Sequence, residues 1–122
     1  MEWLLVALGG AAGAVSRFAV VRLATSVGGG FPLGTLFVNV IGCLIAGALV
    51  QWLALRAPES SLRPLIQVGF LGAFTTFSAF SVDSLQLWQN GQSLWLLLNV
   101  LANVLLSLCA VLVGVQAARA LL

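Results

Sequence analysis

The residues with the most chemistry to offer fall in 69–81, G-F-L-G-A-F-T-T-F-S-A-F-S, inside an apolar run long enough to cross a bilayer. Gly69 and Gly72 weaken a helix, and Thr75 and Thr76 add β-branching and hydroxyls that compete for backbone hydrogen bonds. Phe77 and Phe80 follow at i,i+3, with Ser78 and Ser81 at the same spacing beside them. A helix broken at membrane depth survives only where its freed backbone groups face protein, water or an ion. In transporters such breaks mark ion sites, their unwound carbonyls holding cations. The same letters also suit a helix bent by glycine and threonine for packing alone.

Other polar side chains sit in register within apolar runs. Thr35 and Asn39, in G-T-L-F-V-N-V-I-G, are i,i+4, and Asn99, Asn103 and Ser107 form a stripe at i, i+4, i+8. An asparagine facing lipid is costly, so these residues should face protein or a water-filled path. A polar track between helices is the reading favoured over simple interhelical hydrogen bonding. Arg17 lies deep in the first apolar run, where a charge costs about 2.5 kcal/mol or more at a helix centre. It calls for a partner or an aqueous vestibule, unless it snorkels to the interface. Asp83, one turn after Phe80, either pairs with an arginine or lies near the interface.

Composition decides what holds these residues. The chain has 122 residues, 61% hydrophobic and 7% charged, where a soluble domain carries about 25% charged residues. With a mean hydropathy of +1.15 it reads as an integral membrane protein. At about 20 residues per span, four helices consume nearly the whole chain. They are expected at about 3–23, 33–55, 64–88 and 93–118, as a single transmembrane domain. The glycine-rich loop 25–31, the polar connection 56–63 and the Asn90-Gly91 turn separate them. A positive leader before the first run is missing, so a retained helix is expected rather than a signal peptide. Gly9-x-x-x-Gly13, Gly10-x-x-x-Ala14 and Gly42-x-x-x-Ala46 offer small-residue faces for close helix packing.

Several function classes fall away. Histidine is absent, which removes the usual general base and the commonest metal ligand. Cys43 and Cys109 are far apart in apolar runs, with no zinc spacing or disulfide framework, and read as packing residues. No nucleophile–base pair can be assembled, so an enzyme is not expected. The net charge of +2 is scattered over single arginines, which argues against a nucleic-acid partner.

Four spans put both termini and the 56–63 connection on one side, with Arg56, Arg63 and Arg119. The other side holds Arg22, and Arg17 if it reaches that far. The bias favours cytoplasmic termini only weakly, and so is compatible with insertion both ways and an antiparallel dimer. Four short helices hardly enclose a pore, whereas eight can.

On three motifs in order, G-A-V-S-R-F (13–18), G-T-L-F-V-N-V-I-G (34–42) and the 69–81 stretch, the chain resembles the Fluc (CrcB) family of small four-helix fluoride channels. The resemblance covers essentially the whole chain, and T-T-F-S-x-F-S is its most specific part. It implies an all-α membrane protein of four transmembrane helices, the third broken at mid-membrane, forming an antiparallel, dual-topology homodimer with two fluoride pores. It implies a structural sodium ion at the dimer centre, held by the backbone carbonyls of Gly72 and Thr75 from both subunits. Phe77 and Phe80 would turn the positive edges of their rings toward the anion. Asn39 would be the pore asparagine, Thr76, Asn103 and Ser107 the polar track, and Arg17 a vestibule charge attracting the anion. Amide N–H groups of Asn39 and Asn103, hydroxyls and ring edges would replace the water of fluoride. The implied activity is passive, selective export of fluoride from the cytoplasm across the plasma (inner) membrane, lowering its toxicity. Two positions depart from the family pattern: Ala73 where a second glycine is common, and Ala79 where threonine is. The rivals are a small dual-topology multidrug or cation exporter and a non-transporting membrane assembly subunit. The exporter needs an embedded acid in its first span, where this chain has only Glu2 at the extreme N-terminus.

Overall fold

A computed structural model describes all residues, Met1–Leu122. Helices α1 (Glu2–Ala24), α2 (Leu33–Arg56), α3 (Pro64–Gln89) and α4 (Ser93–Leu121) are each long and apolar enough to cross a membrane. No strand is present. The last helix runs past residue 118 to Leu121.

The connections follow from residue type. Gly29 and Gly30 take positive φ (59° and 97°) in the loop before Pro32, and Gly91 does so (71°) in the turn after Asn90. Only glycine adopts these angles without steric cost. Pro64 opens α3, where its missing N–H has no helical partner to lose. Residues Pro64–Leu71 and Ala102–Leu106 carry wide i→i+5 turns, a local widening frequent near functional sites.

Lipid supplies no hydrophobic force between helices, so they are held by close approach at small residues. Gly9 and Gly13 of α1 lie against the first half of α3, where a Cβ on Gly13 would collide with the Phe70 carbonyl oxygen. Gly69 packs from the opposite side, its missing Cβ only 2.7 Å from the Val6 carbonyl oxygen. Its role is therefore contact with α1 rather than weakening of α3. The second pair is α2 with α4: a Cβ on Gly47 would strike the Val111 carbonyl, and one on Gly114 the Leu44 carbonyl. Gly10, by contrast, has open space around it.

The backbone of α3 leaves helical geometry at two residues. Gly72–Phe74 is helical, Thr75 (φ −80°, ψ 155°) and Thr76 (φ −152°, ψ 121°) are extended, and the helix resumes over Phe77–Gln89. Large apolar side chains such as Trp3, Val15, Phe18, Phe37 and Leu112 point outward from the bundle. Such a surface suits lipid or another membrane chain.

Because Gly114 meets α2 backbone to backbone, Gly114→Val should destabilise the bundle by about 1–3 kcal/mol, through overpacking that no rotamer relieves. Denaturant titration of helicity in detergent measures this, and an unchanged midpoint would contradict the packing described.

Candidate functional site

The two extended residues free backbone groups that a continuous helix would pair internally. Asn39, reaching across from α2, takes up those of Thr76. Its Oδ1 accepts from the Thr76 N–H at 2.7 Å, and its Nδ2 donates to the Thr76 carbonyl at 3.0 Å. A primary amide carries a donor and an acceptor side by side, so it pairs with an extended residue as a neighbouring strand would. The Thr76 hydroxyl accepts from the Ala79 N–H at 3.1 Å, capping the resumed helix, and lies 3.2 Å from Ser78 Oγ. The Thr75 hydroxyl donates to the Leu71 carbonyl at 2.9 Å.

From Asn39 the polar groups continue into α4. Asn39 Nδ2 also donates to Asn103 Oδ1 at 3.0 Å, and Asn103 Nδ2 donates to Asn99 O and Oδ1 at 2.9 and 3.0 Å. Asn99 Nδ2 donates to Ser84 Oγ at 3.0 Å, and that hydroxyl donates to the Phe80 carbonyl at 2.8 Å. Asn99 and Asn103 are buried, so this face of α4 turns inward as its spacing requires. Ser107, the third member of the stripe, has a buried Oγ with no hydrogen-bond partner.

One cavity of about 290 Å³ gathers seven of the candidate residues: Asn39, Thr75, Thr76, Phe77, Phe80, Asn103 and Ser107. The Phe77 and Phe80 rings stand 5.4 Å apart between centroids and are tilted by 56°. Phe80 is buried and Phe77 is 78% exposed, so the ring pair runs from the interior to the surface of this chain. Cys43 also lines the cavity, a position that sequence reasoning assigned to packing alone. Its spacing of one turn from Asn39 is the signal that could have placed it there.

Arg17 stands apart from this group. It lines a separate cavity of about 240 Å³ together with Thr35, Ala79 and Asp83. Asp83 Oδ2 is buried there with no donor within hydrogen-bond reach. A further cavity of about 220 Å³ extends from Asp83 past Gln86 to the 30–35 segment and a third, of about 80 Å³, from Asp83 toward Asn90, so Asp83 sits where three cavities meet.

Gly72 is exposed and lies off the main cavity. Two carbonyls at the interruption nevertheless lose their helical donors. The Thr76 N–H, which would pair with Gly72, goes to Asn39, and the Ala79 N–H, which would pair with Thr75, goes to the Thr76 hydroxyl. Such oxygens are of the type a hard monovalent cation takes, whereas no cluster of His, Cys, Asp or Glu side chains exists for a softer metal.

Residues 4–115 match the family described as CrcB-like protein, Camphor Resistance (CrcB). The chain belongs to the CrcB-like family. Several curated relatives bear the name fluoride-specific ion channel FluC. The one from Paracoccus denitrificans is 48% identical over 119 residues, covering 98% of this chain and 95% of its own. That of Photobacterium profundum is 49% identical over 113 residues, covering 91% and 89%. That of Rhizobium etli is 46% identical over 123 aligned positions, covering 99% and 98%. The family read from the three motifs is thus the family found. With four long apolar helices and relatives named as channels, this CrcB-like chain is a multi-pass membrane protein.

The hydroxyl of Thr76 is what restarts the helix beyond the interruption. Thr76→Val should cost about 1 kcal/mol, whereas Thr76→Ser keeps the cap and costs little. Comparison of their unfolding midpoints in detergent checks this, and equal losses in both variants would contradict it.

Proposed function

We propose that this chain is a fluoride-selective channel through which fluoride leaves the cytoplasm passively, lowering its toxicity. The observation that carries the reading is the 290 Å³ cavity that joins the Phe77–Phe80 pair to the unpartnered Ser107 hydroxyl. Its support is the name, fluoride-specific ion channel, borne by relatives that match nearly end to end.

The chemistry follows from the donors. Fluoride is small and strongly hydrated, so a pore must give back what its water gave. Ring edges carry the positive part of the aromatic quadrupole, and Phe77 and Phe80, which both line the cavity, would meet the anion with such edges. The Ser107 hydroxyl is buried without a partner and is free to donate. The amide N–H groups of Asn39 and Asn103 already donate to protein acceptors, so these residues wall the path rather than solvate the ion with N–H. Chloride is larger and fits a narrow, fixed set of donors poorly. Arg17, on its own cavity, supplies the positive potential that concentrates anions at the vestibule.

In this reading the interruption lies at mid-membrane in the plasma membrane, and two copies pack antiparallel. Exposed Gly72 and the largely exposed Phe77 ring are then half-sites completed by the second copy. Gly72 and Thr75 of both copies would hold a structural sodium ion, whose charge offsets the dipoles of carbonyls that the helix no longer pairs.

Efflux from liposomes holding the purified protein, followed with fluoride and chloride electrodes, tests the proposal. Fast fluoride release without chloride release is expected, slowed by about tenfold or more in Phe80→Ile, which is about 1.4 kcal/mol of barrier. A terminal cysteine should be labelled from both faces of the same vesicles. No fluoride release from the folded protein would overturn the channel, and labelling from one face only would overturn the antiparallel arrangement.

A further inference from the structure

We propose that Ser84 and Asn99 are positioning residues for conduction, closing a one-way hydrogen-bond relay that fixes the turn carrying Phe77 and Phe80. The inference rests on the fluoride-channel reading for its functional meaning, and on the geometry alone for the relay.

Followed from its start, the relay runs in a single sense. The Thr76 N–H donates to Asn39 Oδ1, Asn39 Nδ2 to Asn103 Oδ1, and Asn103 Nδ2 to Asn99 Oδ1. Asn99 Nδ2 then donates to Ser84 Oγ, and Ser84 Oγ to the Phe80 carbonyl. It leaves α3 at Thr76, crosses α2 and α4, and returns to α3 one helical turn later. A backbone N–H can only donate and a backbone carbonyl can only accept. These two fixed ends dictate the orientation of the three amides and the hydroxyl between them. Flipping any one amide would set oxygen against oxygen or N–H against N–H.

The environment makes that constraint strong. Asn99 has no exposed surface and Asn103 is 6% exposed. In such surroundings hydrogen bonds are strong, polarise one another along a chain, and are costly to leave half made. Between the two ends of the relay stand the two rings, Phe77 just after Thr76 and Phe80 at the closing carbonyl. Neither Ser84 nor Asn99 lines the 290 Å³ cavity, so neither meets an ion held there. An amide nitrogen has two protons, and those of Asn39 and of Asn103 each find two protein acceptors. The amides are thus spent on holding the rings in place, which leaves the ring edges and the Ser107 hydroxyl to meet the anion.

Ser84→Ala opens the relay at a point remote from the cavity and leaves Asn99 Nδ2 buried without its acceptor. Ser84→Thr keeps the hydroxyl. In liposomes, Ser84→Ala should slow fluoride efflux about tenfold and narrow the preference for fluoride over chloride, and Ser84→Thr should restore both. A change of selectivity separates positioning from mere loss of folded protein, which lowers the amount of flux without altering its preference. Protection of the Thr76 amide against hydrogen exchange should also fall in Ser84→Ala, whether or not any anion passes. If the wild type passes no fluoride while Thr76 protection still falls in Ser84→Ala, the channel reading fails and the relay stands. If fluoride passes but Ser84→Ala changes neither flux, selectivity nor Thr76 protection, the relay is overturned.

Discussion

A polar backbone interrupted among apolar helices must have its freed groups met by protein, water or an ion, and here one side chain meets that demand at Thr76. Asn39 offers an acceptor and a donor at peptide spacing and takes both the N–H and the carbonyl of Thr76. An unpaired buried peptide group costs several kcal/mol where no water can reach it, so the extended pair Thr75–Thr76 depends on this contact. Most of what distinguishes the site follows from it. The Thr76 hydroxyl is free to restart the helix, Phe77 and Phe80 are brought to one cavity, and the carbonyls of Gly72 and Thr75 lose their helical donors.

That contact in turn depends on glycine at other positions. Gly42 lies three residues beyond Asn39, and a Cβ there would collide with the Thr75 side-chain methyl. Its absence gives the extended segment room beside α2. Gly47 and Gly114 bring α2 and α4 close enough for Asn39 and Asn103 to join their amides directly. Gly9, Gly13 and Gly69 do the same for α1 and the first half of α3, which carries the chain up to the interruption. Small residues thus fix the helix separations, and the amides use the proximity so created. Close packing and polar pairing are complementary in a bilayer, where neither is driven by water.

Much of this was legible in the sequence because it depends on local pattern. Four runs of sufficient length and apolarity specify four helices, and the turn residues Pro32, Pro64 and Asn90-Gly91 mark their ends. The stripe Asn99, Asn103, Ser107 announced an inward polar face through spacing alone. What was not legible depends on partners distant in the chain. Gly69 looked like a weak point in α3, but its contact with Val6 shows it to be a packing surface, and the extended residues are Thr75 and Thr76. Asn39 reads equally well as an ion ligand until the Thr76 backbone is placed beside it. Ser84 carried no signal beyond its i,i+4 spacing from Phe80, since a serine bonding back to its own helix is common. That Asp83 and Arg17 line one cavity could be seen only once α1 and α3 were packed together.

The central claim is that the Asn39 amide stands in for a peptide group at Thr76. A dipolar-recoupling solid-state NMR measurement in lipid, between labelled Asn39 Nδ2 and the Thr76 carbonyl carbon, tests it without reference to transport. Given the 3.0 Å hydrogen bond, the nitrogen–carbon separation should be about 4 Å. A separation beyond about 6 Å, too long for any hydrogen bond between the two groups, would contradict it.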